Sequence, residues 1–389
     1  MNWRGCLIVV AGLVTSTSVF ADGKNVKTSA APIREEMGGL FVALSDLLPI
    51  VLNKAAFEDP KNAQEVLSLM NRLQDLSVKM VTSTKKFADN DPSIPFIAER
   101  FSNDLTMAID MWKTGDRVVP RRLLRGVTDY CIGCHTRTSK GLHLSAVTQP
   151  NKLKAMPSLA KAEYLAATRQ FHDALKVYED ALVHKPLAKI DPEAWDSGVR
   201  KMLAIAVRVE NKPRLTMELL SSIQDSPENM LPALRDDIAL WRQSAKAWAN
   251  EKKHPKMSNN EKFALAKRLL SQGEAIAVKN PGGELIEYLR ASSLLHEILG
   301  QVRPSQQSQE MLWLAGQSAE HLRELNLWTM QDVYYEACAR KNQDPSLSLK
   351  CYNALENSMI AAYGVASRAG LPQFAKNQLD DLKRVIKIK

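Results

Sequence analysis

From residue 32 onward, apolar residues recur at intervals of three and four. Ile33, Met37, Leu40, Phe41, Leu44, Leu47, Leu48 and Val51 form the first such stripe. This spacing predicts an amphipathic helix. Pro32 opens it, since proline is tolerated in a first turn, and Pro49 bends it or marks its last turn. Asp59-Pro60 starts a second helix whose apolar face is Val66, Leu69, Met70, Leu73, Leu76 and Met80. The break Asp89-Asn90-Asp91-Pro92 ends that pair. A third helix from Pro95 carries Ile97, Phe101, Leu105, Ala108, Met111 and Trp112, and Thr114-Gly115-Asp116 closes it. A fourth starts at Pro120 with Leu123, Leu124, Val127 and Cys131, and Gly141 is its expected C-cap. Four such helices joined by short loops predict an up-down-up-down bundle over residues 32–141.

Residues 142–156, with Pro150 and no sustained period, read as a linker and place a domain boundary. Residues 157–389 stay helical in pattern, with few strand signals. Breaks fall at Asn211-Lys212-Pro213, Ser226-Pro227, His254-Pro255, Asn280-Pro281-Gly282-Gly283 and Pro304, and Ser258 with Glu261 forms a candidate capping box. The expected fold class is therefore all-α, in two parts.

At the opposite end, residues 1–21 have the marks of a signal peptide. Arg4 supplies a positive start, Cys6 to Val14 an apolar run too short to span a bilayer, and Val19-Phe20-Ala21 a cleavage site. Residues 22–31 are small and polar and read as a flexible lead-in. No later segment is long and apolar enough to span a membrane, so the mature chain is expected to be exported and soluble. The formal net charge of +9 is spread along the chain without aromatic-basic interleaving, which argues against a nucleic-acid partner. A solvated basic surface and steering towards an acidic redox partner or anionic membrane face both fit this charge.

The candidate chemistry is Cys131-Ile132-Gly133-Cys134-His135. Two cysteines three apart with histidine directly after the second is the attachment signal of a c-type haem. Thiols one helical turn apart can each form a thioether to one porphyrin edge, and the adjacent imidazole of His135 can then serve as the axial iron ligand. One covalent haem c is the expected cofactor. A zinc site would need a second ligand pair, and the other cysteines of the exported chain, Cys338 and Cys351, lie some two hundred residues on. In an oxidising compartment that even pair is expected to form a disulfide across a helical hairpin closed by Lys341-Asn342-Gln343-Asp344-Pro345; two free thiols is the alternative.

Four helices with CxxCH on the last one resemble the cytochrome c′ and cytochrome c-556 family over about 110 residues, on helix count, helix length and motif position. The resemblance implies attachment outside the cytoplasm and so a bacterial periplasmic location. It departs from the family after the histidine, where an aromatic-basic pair is replaced by Thr136-Arg137-Thr138. Beyond the linker, Ala162, Leu165, Phe171, Ala174, Tyr178, Ala181 and Pro186 match the spacing of a tetratricopeptide repeat, with Tyr334 and Ala337 in a similar register. That part resembles a tetratricopeptide-like α-solenoid, with an irregular helical bundle as the alternative.

The ligand opposite His135 decides what such a haem does. His143 is too close in sequence to reach the other face, and His172, His184, His254, His296 and His321 lie beyond the boundary. In an up-down-up-down bundle, Met37 and Met80 lie level with His135, whereas Met107 and Met111 fall towards the other end. Relatives of the c-556 type take their distal ligand from early in helix one, which favours Met37; core packing without iron contact is its other role. A filled site implies electron transfer, with the repeat region docking a redox partner and a homodimer left open. An open site implies binding or sensing of a small gas, and a weaker third reading is peroxidase activity. Arg117, Arg121, Arg122 and Arg125 are a candidate contact patch or a solvated face. The sequence has no nucleotide loop, HExxH helix or serine-nucleophile motif, so no other enzyme class is indicated.

Overall fold

The computed structural model describes residues 31–87, 90–137, 153–154, 156–251, 256–300, 307–322 and 330–387. The expected signal peptide, the lead-in apart from Ala31, Gly141 and most of the linker lie outside them. The described chain is all-helical, without a strand. No described helix is long and apolar enough to cross a membrane.

The first helix, α1 (Ala31–Leu52), holds Pro49 inside its last turn. A short α2 (Lys54–Glu58) follows, an element the apolar pattern did not separate. Asp59 then accepts from the backbone N–H of Lys61 at 2.9 Å and Pro60 opens a single 3₁₀ turn, after which α3 runs Ala63–Thr84. The next helix, α4 (Ser93–Lys113), buries Ile97, Phe101, Leu105, Ala108 and Trp112, but Met111 is exposed. The single fourth helix expected from Pro120 is instead two, α5 (Val118–Arg125) and α6 (Val127–His135). They part at Gly126, whose N–H turns back to the Leu123 carbonyl at 3.0 Å; glycine resists helix continuation at little steric cost to such a turn. Helix α6 ends at His135, six residues before the expected cap.

Beyond the linker come α7 (Ser158–Ala167), α8 (Phe171–Val183), α9 (Leu187–Ile190), α10 (Pro192–Ala204), α11 (Pro213–Gln224), α12 (Arg235–Ala249), α13 (Asn259–Lys279), α14 (Leu285–Leu299), α15 (Gln307–His321), α16 (Met330–Lys341), α17 (Pro345–Ala362) and α18 (Gln373–Val385). Consecutive helices pack on one another in most of these steps. Ala162, Leu165, Phe171, Ala174, Tyr178 and Ala181 are all buried, the first two on α7 and the rest on α8. The Ser258–Glu261 capping box forms in both directions, and the sulfurs of Cys338 and Cys351 lie within bonding distance across the α16–α17 hairpin, with a Cα–Cα distance of 6.0 Å.

Two apolar clusters organise the whole. The first runs from Leu40 on α1 to Leu289 on α14, and it includes Leu153 and Met156 at the end of the expected linker. The second is built from α13 to α18 together with Ile97 of α4. Apolar packing therefore crosses residues 138–152 in both clusters. Close approach sets part of the second: a Cβ added at Gly316 on α15 would lie 2.4 Å from the Tyr335 ring on α16. Gly316→Ala is expected to destabilise the chain by about 1–3 kcal/mol, because a packed ring must move. Equilibrium denaturation of the two proteins measures this, and equal stabilities would contradict the packing described.

Candidate functional site

Helix α6 places Cys131 and Cys134 one turn apart on one face. Both are half-buried free thiols. Cys131 packs against the first apolar cluster and Cys134 against the second, so the motif turn sits where the two clusters meet. Burial, followed by the neighbouring Cys134 and Asp129, pushes the Cys131 thiol up to about 12, and burial likewise raises Cys134.

His135 closes the turn. Its Nδ1 lies 2.6 Å from the carbonyl oxygen of Ala167, the last residue of α7. A carbonyl can only accept, so Nδ1 carries the hydrogen and Nε2 keeps a free lone pair. This is the tautomer that metal-bound imidazoles take, with the second ring nitrogen tied to a carbonyl. Arg169 donates from Nη1 to the His135 carbonyl at 2.8 Å. Burial, then the Arg169 charge, push His135 down to about 4, so the ring is neutral. Two thiols and an Nε2 lone pair on one turn fit a haem held by two thioethers and an axial imidazole.

The structure brings α1 to this histidine through Phe41, whose ring centroid lies 5.8 Å from that of His135. Met37 is one turn earlier on α1, half-buried against the first cluster. Met80 is buried, whereas Met107 and Met111 are 43% and 37% exposed. His172 and His184 are exposed, and His321 stacks on Tyr288 at 4.2 Å. His143 and His254 lie outside the described residues. Of the four arginines read as a contact patch, two serve the fold. Arg121 caps the end of α1 by donating to the carbonyls of Val51 and Leu52, and Arg117 lies 3.6 Å above the Trp112 ring. Arg122 and Arg125 are exposed.

A buried polar network beside Cys134 had no signal in the apolar pattern. Arg137, 7% exposed, donates from Nε to the Gly133 carbonyl at 2.9 Å. Its Nη1 reaches Asp91 Oδ2 at 3.2 Å, Tyr334 Oη at 3.0 Å and the Ser93 hydroxyl. Tyr334 in turn lies 2.9 Å from His296 Nε2. Burial alone would raise the Asp91 carboxyl, but Arg137, His296 and the Ser93 hydroxyl outweigh it and hold it below its usual range. The one visible sign was Arg137 itself, standing where the family resemblance fails. A second buried cation, Lys201 on α10, bonds Asp129 of α6 at 2.5 Å and Glu163 of α7 at 2.6 Å. Among the described residues, no group of three or more His, Cys, Asp or Glu side chains could hold a metal ion.

No protein-family model matches this chain, and no curated protein or solved structure matches it either.

Acid should weaken the network in a defined window. Burial, then the charge on Arg137, push His296 down to about 3. The unfolded state therefore takes up that proton first. The stability this group contributes is complete above about pH 6.5 and is lost progressively as pH falls towards 3. Between pH 7 and 5 the wild type should lose about 2 kcal/mol more than His296→Gln. Urea denaturation of both proteins at the two pH values tests this; parallel losses would show that His296 is not held neutral.

Proposed function

We propose that this chain is a monohaem c-type cytochrome of the periplasm, transferring electrons through one haem attached to Cys131 and Cys134, with His135 as axial ligand. The observation that carries this reading is the His135 ring, neutral and fixed by the Ala167 carbonyl so that Nε2 is free to bind iron. When bound, haem supplies one-electron chemistry at its iron. The protein's own residues hold it: α6 sets the spacing of the two sulfurs, Ala167 orients the imidazole, and the apolar clusters pack against the two cysteines.

In this reading residues 1–21 direct export, residues 32–141 form a bundle of the cytochrome c′ and c-556 kind, and residues 157–389 form a tetratricopeptide-like array that docks a redox partner. The serial packing of helix neighbours beyond Ser158 supports the array. Cys338 and Cys351 form a disulfide, as their placement across the α16–α17 hairpin favours.

Protein purified from an export-competent host is expected to carry the mass of one haem after denaturation. The same peptide map, taken without reductant, is expected to join Cys338 to Cys351. Cys134→Ala should abolish stable incorporation. A mature chain with no added mass would refute the haem assignment, and quantitative alkylation of both C-terminal thiols would refute the disulfide.

Met37 is the proposed distal ligand, on the strength of α1 lying against His135 through Phe41. The second reading, an open site for a small gas, holds if Met37 serves only the apolar cluster against which it packs. The ferric wild type should show a low-spin spectrum with a sulfur-to-iron charge-transfer band. Met37→Ala should remove the band, turn the iron high-spin and admit carbon monoxide, at a stability cost of ~2 kcal/mol because the side chain is only half-buried. A wild type already high-spin, with a spectrum unchanged by the substitution, would establish the open site instead.

A further inference from the structure

The turn that follows α7 is built in an uncommon way. The N–H of Gln170 bonds the Leu165 carbonyl at 2.8 Å, and the N–H of Arg169 bonds that of Ala166 at 3.0 Å. Together these are the two bonds of a Schellman helix end. The residue at its centre needs a left-handed backbone, and glycine is the usual occupant. Here it is Arg169, with φ of 60°. A turn needed only to end a helix would be better served by glycine. The arginine side chain is buried and reaches His135, with Nη1 2.8 Å from its carbonyl oxygen. Two residues earlier, the Ala167 carbonyl receives His135 Nδ1 at 2.6 Å. It is one of the end carbonyls that an α-helix leaves without an internal partner, at the negative end of the helix dipole.

We propose that this helix end, supplied by the region beyond residue 157, sets the reduction potential of the haem, with Ala167 positioning the imidazole and Arg169 as the positioning residue that supplies the opposing charge. The inference rests on the haem reading given above. The two groups act in opposite directions. A carbonyl on Nδ1–H makes the imidazole a stronger donor and favours ferric iron. A fixed guanidinium charge favours the ferrous state, because it disfavours the extra positive charge of ferric iron. The region beyond residue 157 is then part of the redox centre as well as a docking surface.

The test is a spectroscopic redox titration of the full-length holoprotein, with haem content measured first in each variant. Arg169→Gln should keep one haem and lower the ferrous-to-ferric ratio at a fixed applied potential about tenfold, which is ~59 mV for a one-electron couple. Arg169→Lys keeps the charge and should stay within about threefold of the wild type. Arg169→Gly suits the left-handed backbone, so it should still fold and carry haem, and it should show the same tenfold fall. If Arg169→Gly carries haem with an unaltered potential, the proposal is overturned and the haem reading stands. If the wild type carries no haem, both fall together.

Discussion

A guanidinium cannot be taken out of water without partners, and the interior around Arg137 is arranged to supply them. Its donors reach the Gly133 carbonyl within the motif, Asp91 and Ser93 at the start of α4, and Tyr334 on α16. Three separate stretches of chain are thereby fixed around one side chain. Removing any one of them would leave a buried charge or a buried hydroxyl without its complement, which costs more than the bond itself contributes. The position of α16 against α4 and the orientation of the α6 turn are thus settled together.

Lys201 does comparable work on the opposite flank of α6. A buried ammonium bonded to both Asp129 and Glu163 ties α6 to α7 and α10. With Arg137 after the motif and Asp129 before it, α6 is held by one ion pair back to Asp91 and another forward to Lys201. Apolar packing follows the same plan, since Cys131 and Cys134 rest on different clusters. The motif is a seam between two cores, and both its polar and its apolar contacts depend on residues far along the sequence.

The helical stripes were legible because each apolar face repeats at the helical period, and the buried positions Val66, Met70, Leu73, Phe101 and Leu105 follow that repeat directly. The Ser258–Glu261 cap was legible because its chemistry is local. The division of the fourth helix was not, because Gly126 leaves the apolar spacing intact on both sides and changes only the backbone path. Within the site, the motif residues announced themselves by spacing alone. Ala167 could not, since its contribution is a backbone carbonyl that any residue would carry. Asp91 looked like part of a turn, and Tyr334 like a repeat position; what they share is a partner 46 and 197 residues away, respectively. Pattern along the chain reports which face is buried, but it is silent on which buried polar atoms meet.

Those separations bear on how the molecule is made. Tyr334 contacts Asp91 across 243 residues. Closing loops of that length carries an entropy cost that rises with the logarithm of their length, and nothing offsets it until both ends are in place. Contacts of high sequence separation also slow folding. A chain emerging from its N-terminus presents Cys131, Cys134 and His135 long before α16 exists to complete Arg137's surroundings. The surroundings of the motif turn are therefore complete only when the last third of the protein has been made and folds onto it. The late closure leaves an interval in which both thiols can be reached from solvent before the finished fold packs around them.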